Sequence, residues 1–258
     1  MLGERARCLA VVAGALQRRA PKLDDPLEIV PRAHRGIVGA YDGAVDAERF
    51  LTQLPALFDD FPLSEHPRDR RFAPIVEQID NLTSENVLAL LNLAAGCLDP
   101  GEAYVEIGIF HGASLIAAML GNAGSDVVGI DGFEFRDATL EGLQRNLAAF
   151  GLPVPVIHVG DVFELVPSGV LDGTTIGVWY YDALHTYEAQ LEGLRIAEPW
   201  FAPGALVIVD DTDWEDVERA LEDYLREQPR ARHLLTIEGK SRGAPQWWEG
   251  MQVLAWET

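Results

Sequence analysis

The segment Trp179-Tyr180-Tyr181-Asp182-Ala183-Leu184-His185-Thr186-Tyr187 sets an acid and an imidazole three residues apart at the end of an apolar run. A second apolar run, Val207-Ile208-Val209-Asp210-Asp211-Thr212-Asp213-Trp214, ends in paired acids. If both runs are neighbouring strands of a parallel sheet, their C-terminal ends lie side by side at the crevice where such sheets bind ligands. Asp182, Asp210 and Asp211 then converge. Crowded carboxylates repel, and some stay protonated unless a cation stands between them. A hard divalent ion, Mg²⁺ above all, resolves the repulsion, taking a few carboxylates together with waters and substrate oxygens. His185 is the candidate general base, because histidine ionises near neutral pH and an ion lowers the pKa of a hydroxyl it touches. The plainer alternative is that Asp210 and Asp211 only open a loop to a helix capped by Asp213, with His185 a surface residue at a helix start.

A second group of residues suits a ligand rather than a reaction. In Glu106-Ile107-Gly108-Ile109-Phe110-His111-Gly112-Ala113-Ser114, Gly108 permits a tight turn after a strand, and Gly112 lets a helix start approach a ligand closely. The GxGxxG spacing of dinucleotide sites is absent, so a carboxylate fits this loop better than a pyrophosphate. Asp131 ends the next strand, where an acid can hydrogen-bond ribose hydroxyls. Gly160-Asp161 closes a third strand on the same edge and is placed to meet a base. Each feature alone reads equally as a turn; together they point to a nucleoside-bearing ligand. His111 lies in the loop without an assigned role.

These residues need a frame, and the pattern after Pro100 supplies it. Apolar strand-like runs at 103–107, 126–130, 154–159, 175–181, 205–209, 233–237 and 251–256 alternate with amphipathic helical patterns at 111–120, 138–150, 187–200 and 214–227. That alternation marks βαβ units and a parallel sheet. The fold class expected is a Rossmann-like α/β domain with a seven-stranded, mostly parallel sheet and helices on both faces. A helix over 83–98, opened by Thr83-Ser84-Glu85-Asn86, delivers the chain to the first strand. Residues 1–82 form an N-terminal helical region that shapes an acceptor pocket or a subunit contact, and 83–258 the Rossmann-like domain. Trp247 and Trp248 either line the pocket or form an exposed pair.

Composition narrows the partners. With 20 basic and 41 acidic residues the formal charge is −21, which repels phosphate backbones and anionic lipid, so neither nucleic acid nor membrane is an expected partner. Cys8 and Cys97 lack metal-ligand spacing and read as reduced thiols of a cytoplasmic protein. The apolar stretch 8–16 reads as an amphipathic helix, because Gln17-Arg18-Arg19 makes a poor signal-peptide cleavage site.

Glu106-x-Gly108-x-Phe110-x-Gly112-x-Ser114 resembles the first motif of class I S-adenosylmethionine-dependent methyltransferases, in the catechol and caffeoyl-CoA O-methyltransferase type, where an aromatic residue replaces the middle glycine. The resemblance spans about residues 83–256. It implies that Glu106, Gly108, Phe110, Gly112 and Ser114 cradle S-adenosylmethionine, with Ser114 and the loop on its methionine carboxylate. It places Asp131 on the ribose, Asp161 or its backbone on the adenine, and Asp182 between cofactor and metal. The second segment pair resembles the metal-dependent members, which carry an aspartate, a lysine three residues on and a tyrosine, then Asp-Asn before Thr and Trp. Here His185 stands in the lysine's place and Asp211 in the asparagine's. An Asp-Asp pair also occurs in macrocin-type sugar O-methyltransferases. The implied activity is Mg²⁺-assisted methyl transfer to a hydroxyl of a small molecule, with a sugar or polyhydroxylated natural product as the candidate acceptor and a second copy of the chain as a candidate partner. The alternatives are a methyltransferase-like fold used as a non-catalytic or hydroxylase-associated binding protein, and an NAD-dependent oxidoreductase.

Overall fold

The computed structural model describes residues 47–239 and 246–257; the helix expected over 8–16 lies outside them. Seven strands form one sheet: β1 Ala103–Ile107, β2 Asp126–Asp131, β3 Val156–Val159, β4 Ile176–Tyr181, β5 Phe201–Asp210, β6 Ala231–Ile237 and β7 Met251–Trp256. Their order is β3-β2-β1-β4-β5-β7-β6. Only β7 runs against its neighbours, pairing antiparallel with both β5 and β6. Because β1 is flanked by β2 on one side and β4 on the other, the order reverses there, and ligands bind at such a switch point.

The helices are α1 Ala47–Gln53, α2 Ala73–Gln78, α3 Glu85–Gly96, α4 Ala113–Met119, α5 Leu140–Ala149, α6 Val162–Leu165, α7 Tyr187–Arg195 and α8 Glu215–Glu227. Alternation along the buried strands sends side chains to two cores. One face, with Tyr104, Tyr180 and Ile208, packs against α1 to α5. The other, with Val105, Trp179 and Val207, packs against α6, α7 and α8. Polar caps start several of these helices: Ser84 accepts from the Val87 N–H, Thr139 from Gly142 and Thr186 from Ala189. Each such cap contributes about 1 kcal/mol.

Three local expectations are corrected. Strand β5 begins at Phe201 rather than 205, because its register slips between the Ile176 and Val178 pairings and Pro203-Gly204 occupies the irregularity. Proline and glycine are tolerated at such irregularities, although in sequence they read as a turn. Asp213 does not cap α8; its carboxylate accepts the Gly239 N–H at 3.1 Å instead. Trp247 neither lines a pocket nor lies exposed. It is fully buried, its indole N–H donates to the Pro62 carbonyl at 2.8 Å, and its ring meets Phe58 and Phe61.

Candidate active site

The loop after β1 is locked against the loop after β4. Gly108 has φ 87°, and a Cβ there would stand 1.7 Å from the Asp182 carbonyl oxygen. The Asp182 N–H donates to the Ile107 carbonyl at 2.9 Å. Gly112, at φ 92°, has no room for a side chain either, since a Cβ would meet Leu143 at 2.3 Å. The loop itself is held by Asp131. Its Oδ2 accepts the N–H groups of Ile109 and Phe110 at 2.6 and 2.8 Å, and its Oδ1 accepts that of Phe133 at 2.5 Å. A carboxylate offers about four acceptor sites. One remains for a ligand.

Glu106 differs from the expectation. It is fully buried, so it supports the loop from beneath and does not face a ligand. Its carboxyl accepts the Tyr104 hydroxyl at 2.8 Å and the Ser114 hydroxyl at 2.7 Å. Burial pushes its pKa up to about 8 against the pull of those two hydrogen bonds, and Asp182 and Asp131 add to the rise. The carboxyl therefore stays largely protonated at neutral pH. Ser114 is buried, and its hydroxyl proton is given to Glu106. Asp161 sits at the end of β3 with its side chain capping α6 through the Phe163 N–H at 2.8 Å. Phe110, with φ 53°, stacks beside Phe135 and His111, and the Arg136 guanidinium lies over both phenyl rings.

Across the switch point, His185 Nε2 lies 3.6 Å from Asp182 Oδ1 and 3.4 Å from Asp211 Oδ2. The three donor atoms lie within 4.8 Å of one another. These separations exceed a hydrogen bond, so the imidazole faces both carboxylates without being bonded to either. The Nε2 atom is buried and makes no hydrogen bond. Asp211 adopts φ 55°, a left-handed state uncommon outside glycine and typical of strained functional positions.

Asp210 does not join this group. Its side chain is turned into the sheet, where Oδ2 accepts the Tyr180 hydroxyl at 2.6 Å and Oδ1 accepts the Asp211 N–H at 2.9 Å. Burial first, and then the nearby Asp182 and Asp211, hold its pKa well above the usual carboxylate range. The structure thus brings Asp182, Asp211 and His185 together and sets Asp210 behind them, with both its oxygens engaged.

Residues 105–212 match the family described as a methyltransferase domain. The match contains the glycine loop, Asp131, and the whole Asp182–Asp211 constellation. No curated protein matches the chain by sequence. Among solved structures, the chain resembles cofactor-bound Rv0187 from MTB, at 21% identity and TM-score 0.58, over 85% of this chain and 100% of that one. The O-methyltransferase TomG from Streptomyces achromogenes, solved in complex with SAM, is similar at 19% identity and TM-score 0.58, over 83% and 99%. An O-methyltransferase from Bacillus cereus in complex with SAH is similar at 12% identity and TM-score 0.53, over 80% and 96%. At these identities the likeness is one of fold.

Around the site the structure adds residues that sequence reasoning passed over. Tyr104 and Tyr180 lie two residues before Glu106 and Asp182. Strand alternation puts each on the same sheet face as its acid, so counting by twos would have found them. A second cluster gave no such signal: His111 Nε2 lies 3.5 Å from Asp137 and 3.9 Å from Asp80, carboxylates that are largely exposed and far apart in sequence. No helix among the described residues is long and apolar enough to cross a membrane.

Proposed function

We propose that this chain transfers a methyl group from S-adenosylmethionine to a hydroxyl of a small molecule, with His185 taking the proton and Asp182 and Asp211 holding a divalent ion. The observation that carries this reading is the double position of Asp182. Its backbone closes on Gly108 in the ligand loop, while its carboxylate faces His185 and Asp211. Ligand loop and acid–base cluster therefore meet at one residue, as a transfer between two bound molecules requires. TomG and the Bacillus cereus enzyme, solved with SAM and SAH, supply the nature of the donor.

The residues fit both groups. Gly108 and Gly112 let the loop close against Asp182 and Leu143 in the shape a ligand needs, and Asp131 keeps one acceptor site for a ribose hydroxyl. The Asp182 and Asp211 carboxylates, within 4.8 Å of each other, would hold a hard divalent cation as oxygen donors, which leaves the His185 Nε2 lone pair for a proton. When bound, S-adenosylmethionine supplies a methyl group on a positively charged sulfur, and a divalent ion lowers the pKa of a hydroxyl beside it. The protein's share is alignment and proton removal. Fixing acceptor oxygen and methyl carbon in line supplies on the order of several kcal/mol. His185 receives the acceptor's proton at Nε2, and the products are a methyl ether and S-adenosylhomocysteine.

The resemblance to macrocin-type enzymes favours a sugar or polyhydroxylated acceptor, and the strong negative charge disfavours polyanionic ones. The compartment proposed is the cytoplasm, in keeping with Cys97, a free buried thiol. A nicotinamide-dependent oxidoreductase is disfavoured by the absent GxGxxG. Calorimetry tests the reading: S-adenosylhomocysteine is expected to bind at micromolar strength, roughly −8 kcal/mol. Binding of NAD in its place would refute it.

A further inference from the structure

No task has fallen so far to His111 in the glycine loop, yet its imidazole is held in a defined place. The ring stacks on Phe110 with centroids 4.0 Å apart, and the His111 carbonyl accepts the Asn146 side-chain N–H at 2.9 Å. Its side chain is 12% exposed, and Nε2 is buried without a hydrogen bond. A buried polar atom left unbonded is costly, so such an atom calls for a partner. What Nε2 faces is Asp137 Oδ1 at 3.5 Å and Asp80 Oδ2 at 3.9 Å.

Three separate segments supply these atoms. Asp80 stands between α2 and α3, His111 in the loop after β1, and Asp137 between β2 and α5. Among the described residues neither acid pairs with an arginine or lysine, so no cation of the chain neutralises them. Donor atoms held about 2.0–2.2 Å from one tetrahedral ion lie roughly 3.3–3.6 Å apart. The Asp137 separation of 3.5 Å falls in that range, and all three atoms lie within 4.8 Å of one another. The Asp80 side chain, 63% exposed, is free to close the remaining gap.

We propose that Asp80, His111 and Asp137 form a second cation site, one suited to a transition ion such as Zn²⁺. The imidazole decides the class. A nitrogen donor suits zinc and its neighbours, whereas Mg²⁺ takes oxygen ligands of the kind that Asp182 and Asp211 offer. The two sites share no residue. An ion held here ties three loops together, among them the loop from Gly108 to Gly112, so its role is to fix that loop's shape. The assignment is independent of the methyl-transfer reading.

The test uses the full chain with Zn²⁺ as the only transition ion, in excess Mg²⁺ so that sites made of oxygen alone are filled. The readout is the ¹⁵N shifts of the His111 ring, assigned by their loss in His111→Gln. Zn²⁺ is expected to move these signals and to saturate them at one equivalent. It should do so equally in the Asp182→Asn, Asp211→Asn double variant. Loss even of a residue that only orients a metal ligand costs about 10–100-fold in affinity. Asp80→Ala and Asp137→Ala are therefore each expected to weaken Zn²⁺ at least about tenfold in calorimetry. Both side chains are largely exposed, so these variants keep the packing of the fold. His111 signals that stay put in the wild type at saturating Zn²⁺ overturn the proposal. So do shifts confined to other histidines, which mark adventitious binding, and unchanged affinity in both alanine variants. Signals that follow pH but ignore Zn²⁺ overturn it too, because they describe a protonated imidazole resting between two acids.

Discussion

The carbonyl oxygen of Asp182 occupies the space that a side chain on Gly108 would need, 1.7 Å from the Cβ position. Two loops that read in sequence as separate features are thus packed backbone to backbone, and the packing depends on a residue without a side chain. Gly108→Ala must both adopt a positive φ and push the β4 loop away. It is expected to cost at least about 2 kcal/mol of stability and to abolish cofactor binding. A variant that melts and binds like the wild type would show that the loops do not meet as described.

His185 Nε2 lies between the Asp182 and Asp211 carboxylates, at 3.6 and 3.4 Å. Replacing His185 with alanine is expected to lower turnover by about 10²–10⁴-fold while S-adenosylmethionine affinity stays nearly unchanged. His185→Lys, which restores the residue of the resembling enzymes, should recover part of the activity at higher pH. Undiminished turnover by His185→Ala on a verified acceptor assigns the proton to another group.

Asp131 accepts three backbone N–H groups that shape the loop, and the proposed function gives its remaining acceptor site to the ribose. Asp131→Ala should weaken S-adenosylmethionine binding by about 1.5–3 kcal/mol in calorimetry and lower the melting temperature as well. Unchanged affinity would place the nucleoside elsewhere.

Glu106 gives the fold a pH dependence. Folding raises its pKa from 4.5 to about 8, so the folded chain holds this proton more tightly than the unfolded one. The associated stabilisation is complete below the unfolded value and is lost as pH rises through the folded one. The span corresponds to an order of a few kcal/mol. Melting temperatures of the wild type should therefore fall between roughly pH 5 and pH 8 more steeply than those of Glu106→Gln. Parallel curves would mean that Glu106 is ionised throughout.

The sheet was legible because its signal is periodic: β1, β4 and β7 lie close to where apolar runs alternate with helical patterns. The glycine loop and Asp131 were legible because strand ends place them at one edge. What escaped were directions of side chains. Sequence shows that Asp210 and Asp211 are adjacent, but only the left-handed turn at Asp211 and the hydroxyl of Tyr180 determine that one faces His185 and the other faces inward. Ser114 and Glu106 escaped likewise, since eight residues' separation conceals a direct hydrogen bond. Trp247 was misjudged because its partners Phe58, Phe61 and Pro62 lie more than 180 residues earlier.

The left-handed backbone at Asp211 has one more consequence. Glycine aside, aspartate and asparagine are among the few residues that enter that conformation readily, so most of the twenty side chains are excluded there before any chemistry is considered. The choice left open is between two side chains of nearly equal size that differ by one unit of charge. The resembling metal-dependent enzymes carry the amide, and this chain carries the acid. On an unchanged frame, that exchange of a nitrogen for an oxygen adds a full negative charge facing His185. The field over the site can therefore be reset in a single step without repacking the core.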